Sequence, residues 1–552
     1  MHYSRRHFLT TTAVTLAGSV VAPRVNGMAV IRRSFPTGRT ARRAAVGAYL
    51  PESPSADQFR RLALVAMNVA RSAGAEYADV RIGMHREIAP PGVNLALGYG
   101  VRARVNGAWS FQHGTLLTDD AVATAARSAA AGAKAAATVN TQFGRLDNTV
   151  MIPAPAATGT WESPVEIDPF SVSVDDYQRL RASLGYGAER FGFVHGGGSC
   201  VWTVETRVFA STEGALVTQA TTRGGIMGDV YASLPENFSD TVSFAVPGFE
   251  WKSAGFEAAL RPDIAERVAE TAEEAIRWRS LPLRRFLDVG RYPVVFDGTV
   301  MASVVGQTIG TALDGDRVAG DEIDASGRSF LSPISTIVSS ATPAFSPLLT
   351  IKTGRSVPSL TAIQWDDDGV APDAYTLVDR GHVVDYFSTR DTAPLLADWY
   401  RQRNMTPHSR GCAVAPTPAS IPMACGGEVQ VVPADRRATL DELMRDMSHG
   451  FLLMGNTQVT ASPGLTGGYI RTNLAVEVQR GRPVARLWNL WLAFSTKSLL
   501  QKGLTALGDA STSRAAEIIT YKGMPWQAVR HPLTAPAASC KEIDVMRTDV
   551  NS

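Results

Sequence analysis

The chain has 552 residues, of which 45% are apolar and 19% are charged, and its formal net charge is +2. This length is sufficient for two or three domains with large cores, and the nearly balanced charge gives no indication of nucleic-acid binding. No uninterrupted apolar run approaches the roughly 18 residues of a membrane-spanning helix, so we expect no transmembrane span.

The N-terminus carries an export pattern. Residues 4–10 read SRRHFLT, which matches the twin-arginine consensus S-R-R-x-F-L-x, and a weakly apolar stretch follows over residues 11–22. This stretch is too short and too polar for a permanent anchor. We predict a signal peptide over residues 1–29, cleaved after Ala29, and a linker over residues 30–54. Since the twin-arginine route exports folded proteins, the mature chain is expected in the periplasm or another extracytoplasmic space, assembled before export.

A small α+β domain is predicted over residues 55–137. Its elements follow in the order helix, strand, hairpin, helix, which is typical of this class. They are a helix that starts after Ser55, a strand over residues 76–82, a hairpin that turns at Asn106-Gly107, and an alanine-rich helix that starts at Asp119.

Two further segments complete the predicted architecture. A mixed middle domain over residues 138–285 contains one clear helix, in which Ile264, Val268, Ala272 and Ile276 share a face. Residues 286–540 are rich in strand patterns and glycine, which predicts an antiparallel C-terminal domain. The fold class predicted for the whole chain is therefore α+β.

Residues 304–316 read VVGQTIGTALDGD, and they resemble the zinc-binding helix L-L-H-E-A-x-G-H-x-L-E-x-D of the TldD/PmbA family of metallopeptidases. Residues 73–81, AGAEYADVR, and the block over residues 364–392 are also similar to that family. The resemblance covers about residues 57–535. It implies a metallopeptidase-like C-terminal domain, a role in proteolysis, and zinc as the family's cofactor.

The resemblance also implies that the zinc ligands are missing here. It aligns the two zinc-binding histidines with Gly306 and Thr311, the general-base glutamate with Gln307, and the third ligand, a cysteine, with Thr520. A zinc peptidase needs imidazole or thiolate ligands and a carboxylate that accepts a proton from the bound water. None of the four side chains supplies these groups. We therefore expect a degenerate motif, no bound zinc and no confidently assigned catalytic residue.

The spacing of the motif predicts a distorted helix. Residues 306 and 311 are five apart, so a regular α-helix at about 100° per residue would hold them roughly 140° apart. Gly310 would ease the distortion that turns both inward. The acidic Asp314 and Asp316 follow the motif and are expected at the cleft. With Asp321 and Glu322 they could bind a hard cation, although an inherited structural role is favoured.

Other motifs are weaker. The four cysteines form no C-x-x-C pair, and Cys412 and Cys425 could either form a disulfide or remain unpaired thiols. His195-Gly196-Gly197-Gly198-Ser199 resembles a lipase oxyanion segment. The chain has no G-x-S-x-G elbow, so a glycine-rich turn is favoured. None of the isolated histidines is predicted to be a ligand.

Three functions remain open. The first is a pseudoenzyme, a non-catalytic subunit or scaffold of a peptidase complex, paired with a TldD-like paralogue or with itself. The second is an active metallopeptidase that cleaves small or unfolded peptides with non-standard ligands. The third is an envelope protein that captures extended peptides at a sheet edge. A chelator-sensitive peptidase activity would favour the second, and a neighbouring gene for an intact zinc-bearing chain would favour the first.

Overall fold

The structure, a computed structural model, describes residues 28–35, 43–143, 151–189, 191, 194–234, 237–284, 287–332, 343–487 and 490–548. Nearly all of the predicted signal peptide therefore lies outside the described residues. The fold is α+β, as predicted. None of the described helices is both long and apolar enough to cross a membrane.

The N-terminal half is built on one eight-stranded sheet. Its strands are β1 (Ala29–Ser34), β2 (Tyr77–Ala89), β3 (Gly92–Val105), β4 (Ala108–Gly114), β5 (Thr158–Glu162), β6 (Val194–Ser211), β7 (Leu216–Leu234) and β8 (Asn237–Ala245). The strand order is β1-β3-β2-β6-β7-β5, with β4 also paired to β3 and β8 to β7. The predicted hairpin is confirmed, because Asn106 and Gly107 have the positive φ angles (47° and 79°) of a tight turn between β3 and β4.

Strands of this sheet come from three of the predicted segments. The linker expected over residues 30–54 contains β1, which pairs with β3 from Ala29↔Leu97 to Ser34↔Gly92. The boundary expected at residue 137 does not separate two sheets, because β6 from the predicted middle domain pairs with β2 from Asp79↔Ser211 to Ile88↔Trp202. This long pairing joins the two predicted domains into one sheet.

Four helices pack on one face of this sheet. They are α1 (Ala56–Ser72), α2 (Asp119–Phe143), α3 (Val174–Glu189) and α4 (Ile264–Arg279). Val80 of β2 packs in the core formed with α1 and α2, and Ile88 packs in the core formed with α3 and α4. Because residues separated by an even number of positions share a face of a strand, all four helices lie on the same side. The predicted face of α4 is buried at Val268 and Ala272, whereas Ile276 is 37% exposed.

The opposite face carries buried charges and contacts the C-terminal half. Arg102 donates hydrogen bonds to Asp79 (2.6 Å) and to Asp368 (2.6 Å), and it is 5% exposed. Arg207 likewise pairs with Asp367. Pro418 lies over Gly83, where a Cβ would approach its Cγ to 3.0 Å. The two halves of the chain are thus joined through buried ion pairs and close packing.

The C-terminal half contains two larger sheets and one short pair. One sheet has the order β12-β11-β10-β15-β22-β21, the other β16-β9-β23-β19-β17-β18 with β20 on β23, and β13 pairs with β14. The strands are β9 (Gly290–Phe296), β10 (Ile351–Gly354), β11 (Tyr375–Asp379), β12 (His382–Val383), β13 (Ala413–Val414), β14 (Met423–Ala424), β15 (Glu428–Val431), β16 (His449–Ala461), β17 (Gly467–Gln479), β18 (Arg482–Leu487), β19 (Leu490–Ser495), β20 (Leu504–Leu507), β21 (Arg514–Lys522), β22 (Gln527–Ala535) and β23 (Ala538–Thr548).

Short helices connect these strands. They are α5 (Gly298–Val305), α6 (Gly315–Ala319), α7 (Ala397–Gln402) and α8 (Leu440–Met444). Helix α5 packs against β16 of one sheet and against β21 and β22 of the other. The segment with the zinc-helix resemblance therefore lies in the core between the two sheets.

Candidate functional site

The start of α5 is fixed by a side-chain cap. The carboxylate of Asp297 accepts hydrogen bonds from the backbone N–H of Val300 (2.8 Å) and of Gly455 (3.1 Å). Aspartate is a favoured N-cap residue because it satisfies helix N–H groups that have no partner within the helix. The second bond also ties α5 to β16.

Replacing this cap should destabilise the protein moderately. We expect Asp297→Ala to lower the free energy of unfolding by about 1–2 kcal/mol, because it removes the cap and leaves the N–H of Gly455 without its partner. Urea unfolding followed by circular dichroism measures the change. Asp379→Ala, at a carboxylate with a half-exposed side chain, is the control and should change stability by less than about 0.5 kcal/mol. Equal effects of the two variants would contradict the capping role.

The helix is distorted where the spacing predicts it. Residues Gly306–Gly310 form a π-helical turn directly after α5. In a π-turn the backbone hydrogen bonds join residues five apart. The turn therefore brings positions 306 and 311 closer to a common face of the helix than a regular α-helix would. The expected distortion is confirmed.

The space beside Gly306 is filled by the β21–β22 hairpin. A Cβ built on Gly306 would lie 2.8 Å from Cδ1 of Ile518 and 2.8 Å from Cδ2 of Leu533. Carbon atoms in favourable contact are about 3.5–4.0 Å apart, so even a methyl group fits only if the ends of these two side chains shift. A histidine side chain at this position would have to displace them further.

Two of the other three motif side chains make polar contacts within the protein. The Thr311 hydroxyl points to the carbonyl oxygen of Thr308 at 3.5 Å, and Gln307 is half-buried. The Thr520 hydroxyl is hydrogen-bonded to Nε2 of His531 at 2.7 Å. Burial, and then the positive charge of Lys522, lowers the pKa of His531 to about 3, so its imidazole is neutral.

Strand pairing brings His531 to this position. In the register of the hairpin, Ile518 lies opposite His531 and Thr520 opposite Val529. Alternate residues of both strands are buried, which aims Thr520, His531 and Leu533 towards the motif helix. The thiol of Cys425 also contacts His531, with Sγ 3.7 Å from Nδ1.

A buried ion cluster adjoins these groups. Nζ of Lys522 donates hydrogen bonds to Asp314 Oδ2 (2.9 Å) and to Asp316 Oδ1 (2.8 Å), and the Lys522 and Asp314 side chains are fully buried. Burial raises the pKa of Asp314 to about 7, although Lys522 opposes the shift. Burial opposes protonation of Lys522, but the two carboxylates raise its pKa above its usual value. Asp314 and Asp316 thus lie inside the protein, where Lys522 pairs with both.

These residues do not fit a zinc ion. Glycine has no donor atom, and the amide of Gln307 and the hydroxyls of Thr311 and Thr520 are poor substitutes for imidazole and thiolate. Across the described parts of the chain, no group of three His, Cys, Asp or Glu side chains is placed to hold a metal ion. Glu322 accepts bonds from Ser326 (2.7 Å) and from the N–H of Gly523 (3.1 Å), which indicates a structural role.

The comparisons with known proteins agree with this architecture. A family model described as the PmbA/TldA metallopeptidase C-terminal domain matches residues 289–546. Residues 289–546, the C-terminal half of the chain, are thus similar to the PmbA/TldD family. The matched residues include the motif helix, the ion cluster and the β21–β22 hairpin.

Three solved structures share the fold over most of the chain. A candidate modulator of DNA gyrase from Bacteroides thetaiotaomicron has 15% identity and a TM-score of 0.61, and the match covers 89% of this chain and 99% of that one. TldE from Thermococcus kodakarensis has 14% identity, a TM-score of 0.61, and coverage of 89% and 100%. A candidate modulator of a DNA gyrase from Thermotoga maritima has 14% identity, a TM-score of 0.59, and coverage of 88% and 100%. Similarity at these identities concerns the fold alone. No curated protein matches the chain.

Sequence reasoning missed part of this site. It placed Gly306, Gln307, Thr311 and Thr520, but it assigned no role to His531 or Lys522, and it considered Cys425 only as a disulfide partner or an unpaired thiol. For Lys522 a signal was present, since it lies in the TYKGMP stretch that resembles the family's C-G-K-x-G-Q-P. The prediction for the glycine-rich run from His195 to Ser199 was also wrong. This run lies inside β6, where it pairs with β7, so it forms neither an oxyanion loop nor the expected turn.

The raised pKa of Asp314 predicts a pH dependence of stability. Its carboxyl stays protonated to about pH 7 in the folded chain but only to about pH 4 in an unfolded chain. The folded state therefore binds more protons between these values, so this contribution to stability is complete below pH 4 and is lost as the pH rises to 7. We expect Asp314→Asn to reduce the loss of stability between pH 5 and pH 8 by about 1–3 kcal/mol relative to wild type. Urea unfolding at both pH values measures it, and parallel curves for the two proteins would contradict it.

Proposed function

We propose that this chain is a non-catalytic, zinc-free member of the PmbA/TldD family that acts as a subunit or scaffold of a peptidase complex. The observation that carries the proposal is the filled space at Gly306, where Ile518 and Leu533 occupy the volume a metal-binding side chain would need. A chain that had lost only its ligand atoms would retain a cavity. Here the ends of two hairpin side chains occupy the position.

The remaining polar groups support the same conclusion. Hydrolysis of a peptide bond needs a group that accepts a proton from water near neutral pH, and the amide of Gln307 cannot do so. The imidazole of His531 is buried and already hydrogen-bonded to Thr520. The Asp314 and Asp316 carboxylates are engaged by Lys522. Cys425 and Thr520 do lie beside the His531 imidazole, but all three side chains are buried, and burial raises the pKa of the Cys425 thiol and so disfavours its thiolate.

An exposed apolar surface supports a partner. At the turn between β21 and β22, Tyr521 is 56% exposed, Met524 70% and Trp526 59%. Exposed clusters of aromatic residues and methionine are typical of protein interfaces. We propose that a TldD-like paralogue with intact zinc ligands covers this hairpin tip, which is the outer end of the same hairpin that closes the motif site.

Native mass spectrometry of the mature protein, purified from its host, tests the proposal together with metal analysis. We expect a metal-free chain bound to a second chain that carries zinc. One tightly held metal per chain, with peptidase activity that a chelator abolishes, would overturn the proposal in favour of an active enzyme. A homo-oligomer without metal would replace the paralogue with a second copy.

Two variants locate the interface. Trp526→Ser should weaken the complex at least tenfold, because aromatic anchors contribute most to binding at interfaces. Val289→Ser is the matched control, since Val289 is 74% exposed but lies outside the hairpin tip. Equal loss of the complex in both variants, or in neither, would place the interface elsewhere.

Export is part of the proposal. The twin-arginine pattern at Arg5-Arg6 supports a mature protein in an extracytoplasmic space. The double variant Arg5→Lys, Arg6→Lys should retain the precursor in the cytoplasm, because lysine does not reproduce the planar, multidentate guanidinium. Cell fractionation measures the distribution, and normal export of the variant would contradict this route.

A further inference from the structure

Cys412 and Cys425 lie opposite each other at the end of the β13–β14 pair. The register of that pair is Ala413↔Ala424 and Val414↔Met423, so one further step places Cys412 opposite Cys425. The backbone N–H of Cys425 donates to the carbonyl oxygen of Cys412 at 2.9 Å, which continues the ladder to this position. The two cysteines are therefore direct cross-strand neighbours.

Such neighbours are within reach of a disulfide. Opposite residues in an antiparallel ladder project to the same side, with Cα atoms about 4.5–5.5 Å apart, and disulfides span Cα distances of about 4.4–6.8 Å. Val414 and Met423, two positions from Cys412 and Cys425 along their strands, pack in one apolar cluster with Cys425. Cys412 itself packs in the adjoining core, against which Tyr375 also packs.

In the structure both thiols are reduced and buried, at 2% and 1% exposure. The Cys425 thiol rests against His531, and Sγ of Cys412 lies 3.5 Å from the hydroxyl of Tyr375. The other two cysteines lie opposite non-cysteine residues, since Cys200 pairs with Ile226 and Cys540 with Val294. They provide internal controls with similar burial.

We propose that Cys412 and Cys425 form a reversible disulfide that draws the Cys425 thiol away from His531. The bond forms by exchange with a small disulfide such as oxidised glutathione. One cysteine thiolate attacks the oxidant and releases one thiol, and the second cysteine attacks the resulting mixed disulfide and releases the other. Two protein thiols are oxidised and one external disulfide is reduced to two thiols, so atoms and electrons balance. The extracytoplasmic location proposed above would supply the oxidising conditions.

Burial sets the conditions of the experiment. It raises the pKa of the Cys412 thiol to about 12 and that of Cys425 further, so the reactive thiolates are rare and exchange needs local opening. The full-length protein is therefore incubated with oxidised glutathione at mildly alkaline pH in sub-denaturing urea, then acid-quenched, unfolded and alkylated. Mass spectrometry counts the free thiols, and a non-reducing peptide map identifies the bond.

We expect two of the four thiols to be lost, in a single bond between Cys412 and Cys425 that dithiothreitol reverses. The double variant Cys200→Ser, Cys540→Ser should still lose two thiols. Cys412→Ser, checked for folding by circular dichroism, should form no intramolecular disulfide. Retention of all four thiols after incubation, or a bond that includes Cys200 or Cys540, would overturn the proposal.

Discussion

Restoring the three zinc-ligand positions and the general-base position alone is not expected to restore zinc binding. The variant Gly306→His, Gln307→Glu, Thr311→His, Thr520→Cys supplies the donor atoms of the family motif, but we expect it to take up no zinc above background. The Cβ of a histidine at position 306 would meet two side chains at 2.8 Å. Forcing a larger side chain into a packed core typically costs about 1–3 kcal/mol, and the imidazole extends well beyond Cβ.

Two further substitutions should reverse this result. Ile518→Val removes the Cδ1 atom that meets position 306, and Leu533→Ala removes both Cδ atoms. With all six substitutions, the space opened beside the helix can accept the imidazole, and the π-turn is retained to orient it. We expect zinc uptake to rise towards one ion per folded chain, measured by inductively coupled plasma mass spectrometry after gel filtration.

The control variants distinguish the effect of added space from the effect of added zinc ligands. The double variant Ile518→Val, Leu533→Ala has the space but no new donor atoms, and it should bind no zinc. Full zinc occupancy of the fourfold variant would show that the hairpin yields and that the space argument is wrong. A folded sixfold variant without zinc would show instead that the alignment of the motif with these positions is wrong.

Lys522→Met should destabilise the protein by about 3–5 kcal/mol, the cost of removing one partner from a buried ion pair. The ammonium is the shared hydrogen-bond donor to Asp314 and Asp316, and all three residues are less than 10% exposed. Methionine fills a similar volume but leaves buried Asp314 and Asp316 without their shared hydrogen-bond donor and its positive charge. Urea unfolding at pH 7 measures the loss.

A matched variant and a rescue make this prediction specific. Lys541→Met, at an exposed lysine, should change stability by less than about 0.5 kcal/mol. Adding Asp314→Asn and Asp316→Asn to Lys522→Met should recover most of the lost stability, because the buried charges are then removed together. A triple variant less stable than Lys522→Met would mean that the carboxylates contribute through contacts other than the ion cluster.

Elements with strong local patterns could be predicted from the sequence. The helix after Ser55, the turn at Asn106-Gly107 and the strands β17 to β19 depend on periodicity and turn residues, which are local properties. The strand β1 could not be predicted, because Ala29–Ser34 includes two arginines and all six residues are exposed. Its partner β3 lies about 60 residues away, and only that pairing makes it a strand.

The positions of the motif could be placed from the sequence, but the residues that surround them could not. Gly306, Gln307, Thr311 and Thr520 could be placed because a family motif has fixed spacing. The Cys425–His531 contact joins residues 106 positions apart in the chain. It arises from strand pairing, which a single sequence does not specify. The same is true of the ion cluster, in which Lys522 meets a carboxylate 208 positions earlier.

With the proposed signal cleavage after Ala29, the position of β1 would couple maturation to folding. The bond between Ala29 and Val30, the predicted site of signal cleavage, lies inside a strand that is already paired with β3. A protease binds an extended segment, so it must compete with the sheet for the same backbone groups. In a protein that folds before export, signal cleavage would require this edge strand to detach first. The rate of cleavage would then depend on how stably β1 is paired with β3.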